Sequence, residues 1–197
     1  MFKPKLNFGH PGFVAGRYYT SAGFVTNSTL LLVENTLYFQ PFYAPERVAI
    51  DRLAFAITVG AGNAANEVRS GIYNTMNARP GNLLIDNGRT VVGTGTGNTA
   101  ITCSIVLDPG WYWLALIANR ATGSATQPTL RAWANEIRSP QGIEYLGASV
   151  PDASSVAGTL VSNAETVGTW ATYTLPATAT SAVTEAQVFP ALWVRAA

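Results

Sequence analysis

The residue types most often used for nucleophilic and metal chemistry occur once each, as His10 and Cys103. His10 stands between Gly9 and Pro11, in a segment of turn formers, whereas a general base must be held on a rigid mount. Cys103 alternates with Ile101 and Ile105, which places it on the apolar stripe of a strand, where a free thiol acts as a small hydrophobe. One cysteine cannot form an internal disulfide, and zinc needs clustered Cys and His, so no metal and no cofactor is expected. The run GTGTGN, Gly93 to Asn98, lacks the Gly-Lys-Ser/Thr ending and the following helix of a phosphate loop, and reads as a turn. Carboxylates are the remaining acid–base resource. Asp51, Glu67, Asp86 and Asp108 fall at strand ends or turns, where acids cap backbone N–H groups. Asp86 with Asn87 lacks the spaced oxygen ligands of a calcium loop. No catalytic residue is assigned, and the chain reads as a non-enzyme.

Aromatic rings and loop amides remain. There are five tryptophans, eight tyrosines and eight phenylalanines. Carbohydrate-binding β-proteins stack sugar faces on such rings and read hydroxyls with Asn, Asp and Arg, and exposed loops commonly carry binding. The candidates are Asn63, Asn66, Asn77, Arg79, Asn82, Asp86, Asn87 and Arg89, with Asn74 beside them. Trp111 and Trp113 share one face of a strand and Tyr112 takes the other; Trp113 is expected in a core or a subunit interface.

The elements that would position these residues are strands. Residues 1–16 show no period and carry several Gly and Pro, and read as an extended arm, with Phe2, Phe8 and Phe13 as anchors on a neighbour. Residues 17–197 form the domain. Leu30 to Tyr43 is strand-like. In Val48 to Val59, Val48 and Ile50 share a face with Leu53, Phe55, Ile57 and Val59 only after a one-residue slip at Asp51–Arg52, which predicts a β-bulge. Alternation continues over Val68 to Met76 and Ile101 to Leu107. Turns are expected at Asn77 to Asn82, around Pro80-Gly81, and at Asp86-Asn87-Gly88. Asp108-Pro109-Gly110 leads into WYWLALIA, Trp111 to Ala118, which is apolar on both faces. That predicts a central strand buried between layers or subunits, in a hairpin with the strand before it. Further strands are expected at Thr129 to Ala134, Thr169 to Leu175 and Ala186 to Val194, interrupted at Pro190. Asn135 to Ser162 reads as a long excursion. No segment holds a helical period over three turns. The sum is an all-β fold, a jelly-roll-like β-sandwich.

Composition narrows the function. Charged residues make up 12% of the 197, about half the usual 25%, and the net charge is +1. The ten arginines are scattered and only Lys3 and Lys5 are lysines. No nucleic-acid or anionic-membrane partner is expected. The longest apolar run is too short to span a bilayer, and the first residues hold no signal-peptide core. A surface so poor in ionic groups suits a subunit shielded by its own copies.

Two passages carry a resemblance. Glu67 to Leu84 reads EVRSGIYNTMNARPGNLL and Leu107 to Asn119 reads LDPGWYWLALIAN, with YFQPFYAPERVAIDRLAFAITV from Tyr38 to Val59 upstream. Together they resemble a domain that recurs in bacteriophage and prophage tail-fibre, tailspike and other virion proteins, over roughly residues 18 to 121. The resemblance implies a jelly-roll module, usually trimeric, used in virion assembly or attachment to host surface glycans, and no active site. The expected partners are copies of the chain in a homotrimer, other virion proteins and host polysaccharide. The expected place is the virion, assembled in the bacterial cytoplasm. The alternatives are a ligand-free decoration or fibre-base protein and a polysaccharide depolymerase.

Overall fold

The computed structural model describes residues 12–20, 26–77, 79–119, 126–134, 160–162, 174–179, 183–185 and 188–197. Among these the chain is all-β, without helix. Its strands are β1 (Tyr18–Tyr19), β2 (Thr26–Leu31), β3 (Leu37–Ala44), β4 (Val48–Val59), β5 (Glu67–Met76), β6 (Arg79–Val91), β7 (Gly97–Leu107), β8 (Gly110–Asn119), β9 (Thr129–Ala134), β10 (Leu160–Ser162), β11 (Val183–Glu185), β12 (Val188–Pro190) and β13 (Trp193–Ala196). Four antiparallel pairs are nested: β5 with β6, β4 with β7, β3 with β8 and β2 with β9. This nesting winds the chain into a jelly roll. One sheet contains β2, β9, β4 and β7, and the other β3, β8, β5 and β6.

The winding follows from alternation. Leu53, Phe55 and Ile57 of β4 meet Tyr38, Phe42, Leu114 and Leu116 of the facing sheet in the main core. Burying each such side chain contributes about 1.5–3 kcal/mol. The other face of the six-stranded sheet is also dry. Leu37, Phe39, Tyr73, Trp113, Ala115 and Ile117 pack there with Leu175. β8 is therefore buried on both faces, between layers, as its sequence implies. The slip in β4 is present as a register shift between Ile50 and Arg52.

Several local expectations differ. β7 and β8 do not form a hairpin: β7 pairs with β4 in one sheet and β8 with β3 and β5 in the other. The Asp108–Pro109 turn carries the chain across the sandwich. Leu30 to Tyr43 is two strands, because Asn35 takes a left-handed backbone, φ 59°, and the chain changes sheets there. The turn after β5 is shorter than the Asn77 to Asn82 stretch. Met76 pairs with Arg79, so the chain has already reversed before Pro80, with Asn77 at φ 51°. Pro80 and Gly81 lie within β6, at the edge of its sheet, where a missing N–H is tolerated. Asp86-Asn87-Gly88 is a bulge inside β6, opposite Ser70, and not a reversal. At the far end Gly60 lets two connections stack, since a Cβ there would lie 1.9 Å from the Thr94 carbonyl oxygen. The strand expected at Thr169 to Leu175 falls mostly outside the described residues. So do His10, Phe2 and Phe8. Phe13 packs on its own sandwich, edge-on to Tyr19 with centroids 4.8 Å apart, and against Phe42.

The end of the chain is built into the sheet. β4 and β9 pair at Ile57–Leu130 and Val59–Thr129. Past that point the final segment enters between them, β12 pairing with β9 and β13 with β4. Pro190 ends the first pairing, and Ala191 and Leu192 carry the chain across to the second. Buried Gln40 holds this step. Its Oε1 accepts the Leu192 N–H at 2.8 Å, and its Nε2 donates to the Leu192 carbonyl at 3.0 Å and to Thr20 Oγ1 at 2.9 Å.

Candidate binding site

The inserted segment creates a depression on the outer face of the seven-stranded sheet. In β4 the residues between the core positions Leu53, Phe55 and Ile57 are Ala54 and Ala56, so the outward face there is floored by methyl groups. Ala54 pairs with Ala100 of β7 on one side and Trp193 of β13 on the other, and Ala56 pairs with Asn98. In β9, Leu130 and Ala132 are buried, which turns Arg131 and Trp133 outward. In β13, Val194 and Ala196 are buried, which turns Trp193 and Arg195 outward. The result is a hollow of about 690 Å³ lined by Tyr18, Ala54, Ala56, Asn98, Thr99, Ala100, Arg131, Trp133 and Trp193. Its size falls in the small-ligand range.

The two indoles meet edge to face, centroids 5.9 Å apart and planes at 64°. Trp133 Nε1 is buried without a hydrogen-bond acceptor. The two arginines differ. Arg195 is held by Asp51, Nε to Oδ1 at 2.8 Å and a terminal nitrogen to Oδ2 at 2.5 Å, and lies 5.9 Å from the Tyr18 ring centre. The Arg195 hydrogen bonds, opposed in part by burial and aided by its charge and that of Arg52, hold the Asp51 carboxyl below the ordinary carboxylate range. Arg131 has no ion-pair partner among the described residues. Among the described residues no acid lines the hollow. Rings, methyls and one cation without an ion-pair partner equip the described lining to stack and hydrogen-bond a ligand.

The loop residues singled out from sequence are not gathered at one place. Asn63 Oδ1 accepts the Ala65 N–H at 2.8 Å, and Asn66 is fully buried, its Nδ2 donating to the Thr126 carbonyl at 3.1 Å. Both lie at one end of β5. Asn77, Arg79 and Asn82 lie at the other end, roughly 30 Å away by strand rise. Asn82 is tied down there, its N–H donating to Asn74 Oδ1 and its Oδ1 accepting from Thr178 Oγ1 at 3.2 Å. Asp86, Asn87 and Arg89 sit along β6. Asp86 accepts from Arg69 Nε at 2.8 Å, from the Gly88 N–H at 2.9 Å and from the Leu175 N–H at 2.9 Å. Asn87 donates to Ser70 Oγ at 3.2 Å, and Arg89 lies 3.4 Å from Glu67. Asp86, Asn66 and Asn82 thus hold the fold together. Cys103 is buried beside the Ile50 carbonyl, and burial pushes its thiol up to about 11. Among the described residues no group of three or more His, Cys, Asp or Glu is placed to hold a metal.

Comparison with known protein families and with curated proteins found no match. The hollow's own residues were not singled out from the sequence. The available signal was the pair of strands Arg131-Ala132-Trp133 and Trp193-Val194-Arg195. Each sets an indole and a guanidinium on the face opposite its small or apolar residues.

Proposed function

We propose that this chain is a virion module of the tail-fibre type that assembles with copies of itself and binds saccharide of the host surface. The observation that carries the binding half is the hollow between β9, β13 and β4, where two indoles stand over a floor of alanines. Sugars present C–H faces and hydroxyl rims, and such a surface receives the face on a ring and the rim on Asn98 and Arg131. The virion half is supported by the resemblance. Two of its marks, Gly71 of the GIY run and Trp113 of the PG-YWLA run, sit at packed positions of a jelly roll. Each site is expected to bind weakly, and several sites on one particle multiply the effect.

Adsorption of the fluorescently labelled protein to bacterial cells tests this. Host cells are expected to retain the protein, stripping of surface polysaccharide to release it, and Trp193→Ala to reduce retention at least tenfold. Retention unchanged by polysaccharide removal overturns the saccharide reading. Absence of the chain from purified particles by peptide mapping overturns the virion reading.

A further inference from the structure

Resting on that saccharide reading, we infer that the hollow is specific for an acidic sugar unit, one that carries a carboxylate, with Arg131 as the residue that reads it. Arg131 brings a planar fork of N–H groups to the hollow. Among the described lining residues there is no carboxylate to accept from sugar hydroxyls, as a site for a neutral, hydroxyl-rich sugar would use. Arg195, the other nearby cation, is already neutralised by the two-point contact with Asp51. Among the described residues one net positive charge is left, on Arg131. The N–H fork of Arg131 favours a ligand that supplies acceptors. A guanidinium matches a carboxylate in two parallel hydrogen bonds.

The other ligand that stacks on indoles and presents an anion is a nucleotide. A single uncompensated cation suits one carboxylate better than a phosphate that carries up to two charges. The chain's net charge of +1 offers no wider field to hold a polyanion.

The test is titration of the intact protein, followed by tryptophan fluorescence and calorimetry. The ligands are a panel of uronate- and sialate-bearing oligosaccharides, their neutral counterparts and a nucleoside monophosphate. The tightest acidic sugar is expected to bind at least about tenfold more tightly than its neutral counterpart, the factor that one charge-assisted contact supplies. Arg131→Gln is expected to erase that factor, so that acidic and neutral sugars bind alike, and Arg131→Lys to restore part of it. Ala100→Leu, at an exposed position on the floor, is expected to block all the sugars without altering the thermal melt. Neutral sugars binding as tightly as acidic ones overturn the inference and leave the saccharide reading standing. So does an Arg131→Gln variant that is folded and keeps its acidic preference. Tighter binding of the monophosphate than of any sugar, or no signal from the whole panel at millimolar concentration, overturns both.

Discussion

Gln40 shows how one side chain can fix a topology. Its amide copies a peptide group, offering an acceptor and a donor to the N–H and C=O of Leu192, just where the final segment leaves β9 for β4 and no strand partner serves that residue. Both atoms of the Leu192 peptide contact are buried, so Gln40→Leu strands a donor and an acceptor together. The expected loss is about 2–6 kcal/mol by urea unfolding, from about 1–3 kcal/mol per unmet buried group; Thr20→Val, which removes a single further contact, should cost about 1 kcal/mol. Equal losses from the two variants would show that the clamp is not what holds Leu192. Asp51 works at the rim of the same segment and makes a pH prediction. Its carboxyl is depressed in the fold, chiefly by Arg195. A depressed folded value means that the contribution is fully present above the unfolded value near 3.8 and fades as pH falls through the folded value. Asp51→Asn should therefore lower the urea midpoint at pH 7 and converge on the unsubstituted protein at acid pH. A gap that widens toward low pH would reverse the assignment.

At the scale of elements, β5 and β6 hold the segment 174–179 through an absent side chain. A Cβ on Gly71 would lie 2.5 Å from Leu175 Cδ1 and 2.6 Å from the Ile85 carbonyl oxygen. Glycine at that position lets Leu175 reach the second core, where the Tyr73 hydroxyl donates to the Pro176 carbonyl at 2.9 Å and the Leu83 N–H to the Ala177 carbonyl at 2.9 Å. Gly71→Ala should destabilise by about 1–3 kcal/mol, and Leu175→Ala by about 2–5 kcal/mol. The double variant should cost less than the two singles together, because removing the leucine side chain vacates part of the space the new methyl needs. Strict additivity by urea unfolding would show that Leu175 is not the obstacle. The GIY run is thus legible as a motif, but its reason is a contact with a residue about a hundred positions away. The same divide separates what the sequence tells from what it hides. Alternation in β4, β5 and β7 and the bulge at Asp51 are local, and they stand. The Asp108-Pro109-Gly110 turn is equally local, yet a turn states only that the chain reverses, not whether the next strand joins the same sheet. Loop amides such as Asn66 and Asn82 look free in sequence because their partners, Thr126 and Thr178, are remote.

For the whole molecule the open question is what covers β7. Among the described residues it ends its sheet and pairs with β4 alone, and it runs eleven residues from Gly97 to Leu107 without a charge or a proline. The opposite sheet blunts its own edge, since β6 receives main-chain contacts from Ala177 and Ala179. A long uncharged edge is a template for association, and with charged residues at 12% the chain has little else to keep copies apart. Val59 and Val106 add apolar surface at 59% and 52% exposure. We therefore expect a closed assembly, a homotrimer by the family resemblance, in which each β7 lies against a neighbour. Closure matters, because an edge that paired in an open series would build fibres. Sedimentation equilibrium at micromolar concentration should give three times the 20.9 kDa chain mass. Placing lysine at Ser104 and Val106, exposed at the end of β7 away from the hollow, should shift the mass toward one chain while the thermal melt still reports a folded sandwich. A single species of one chain mass before any substitution would mean that the bare edge and the thin charge are tolerated in isolation. The assembly half of the proposed function would then fall, with the saccharide hollow still to be judged by its own titration.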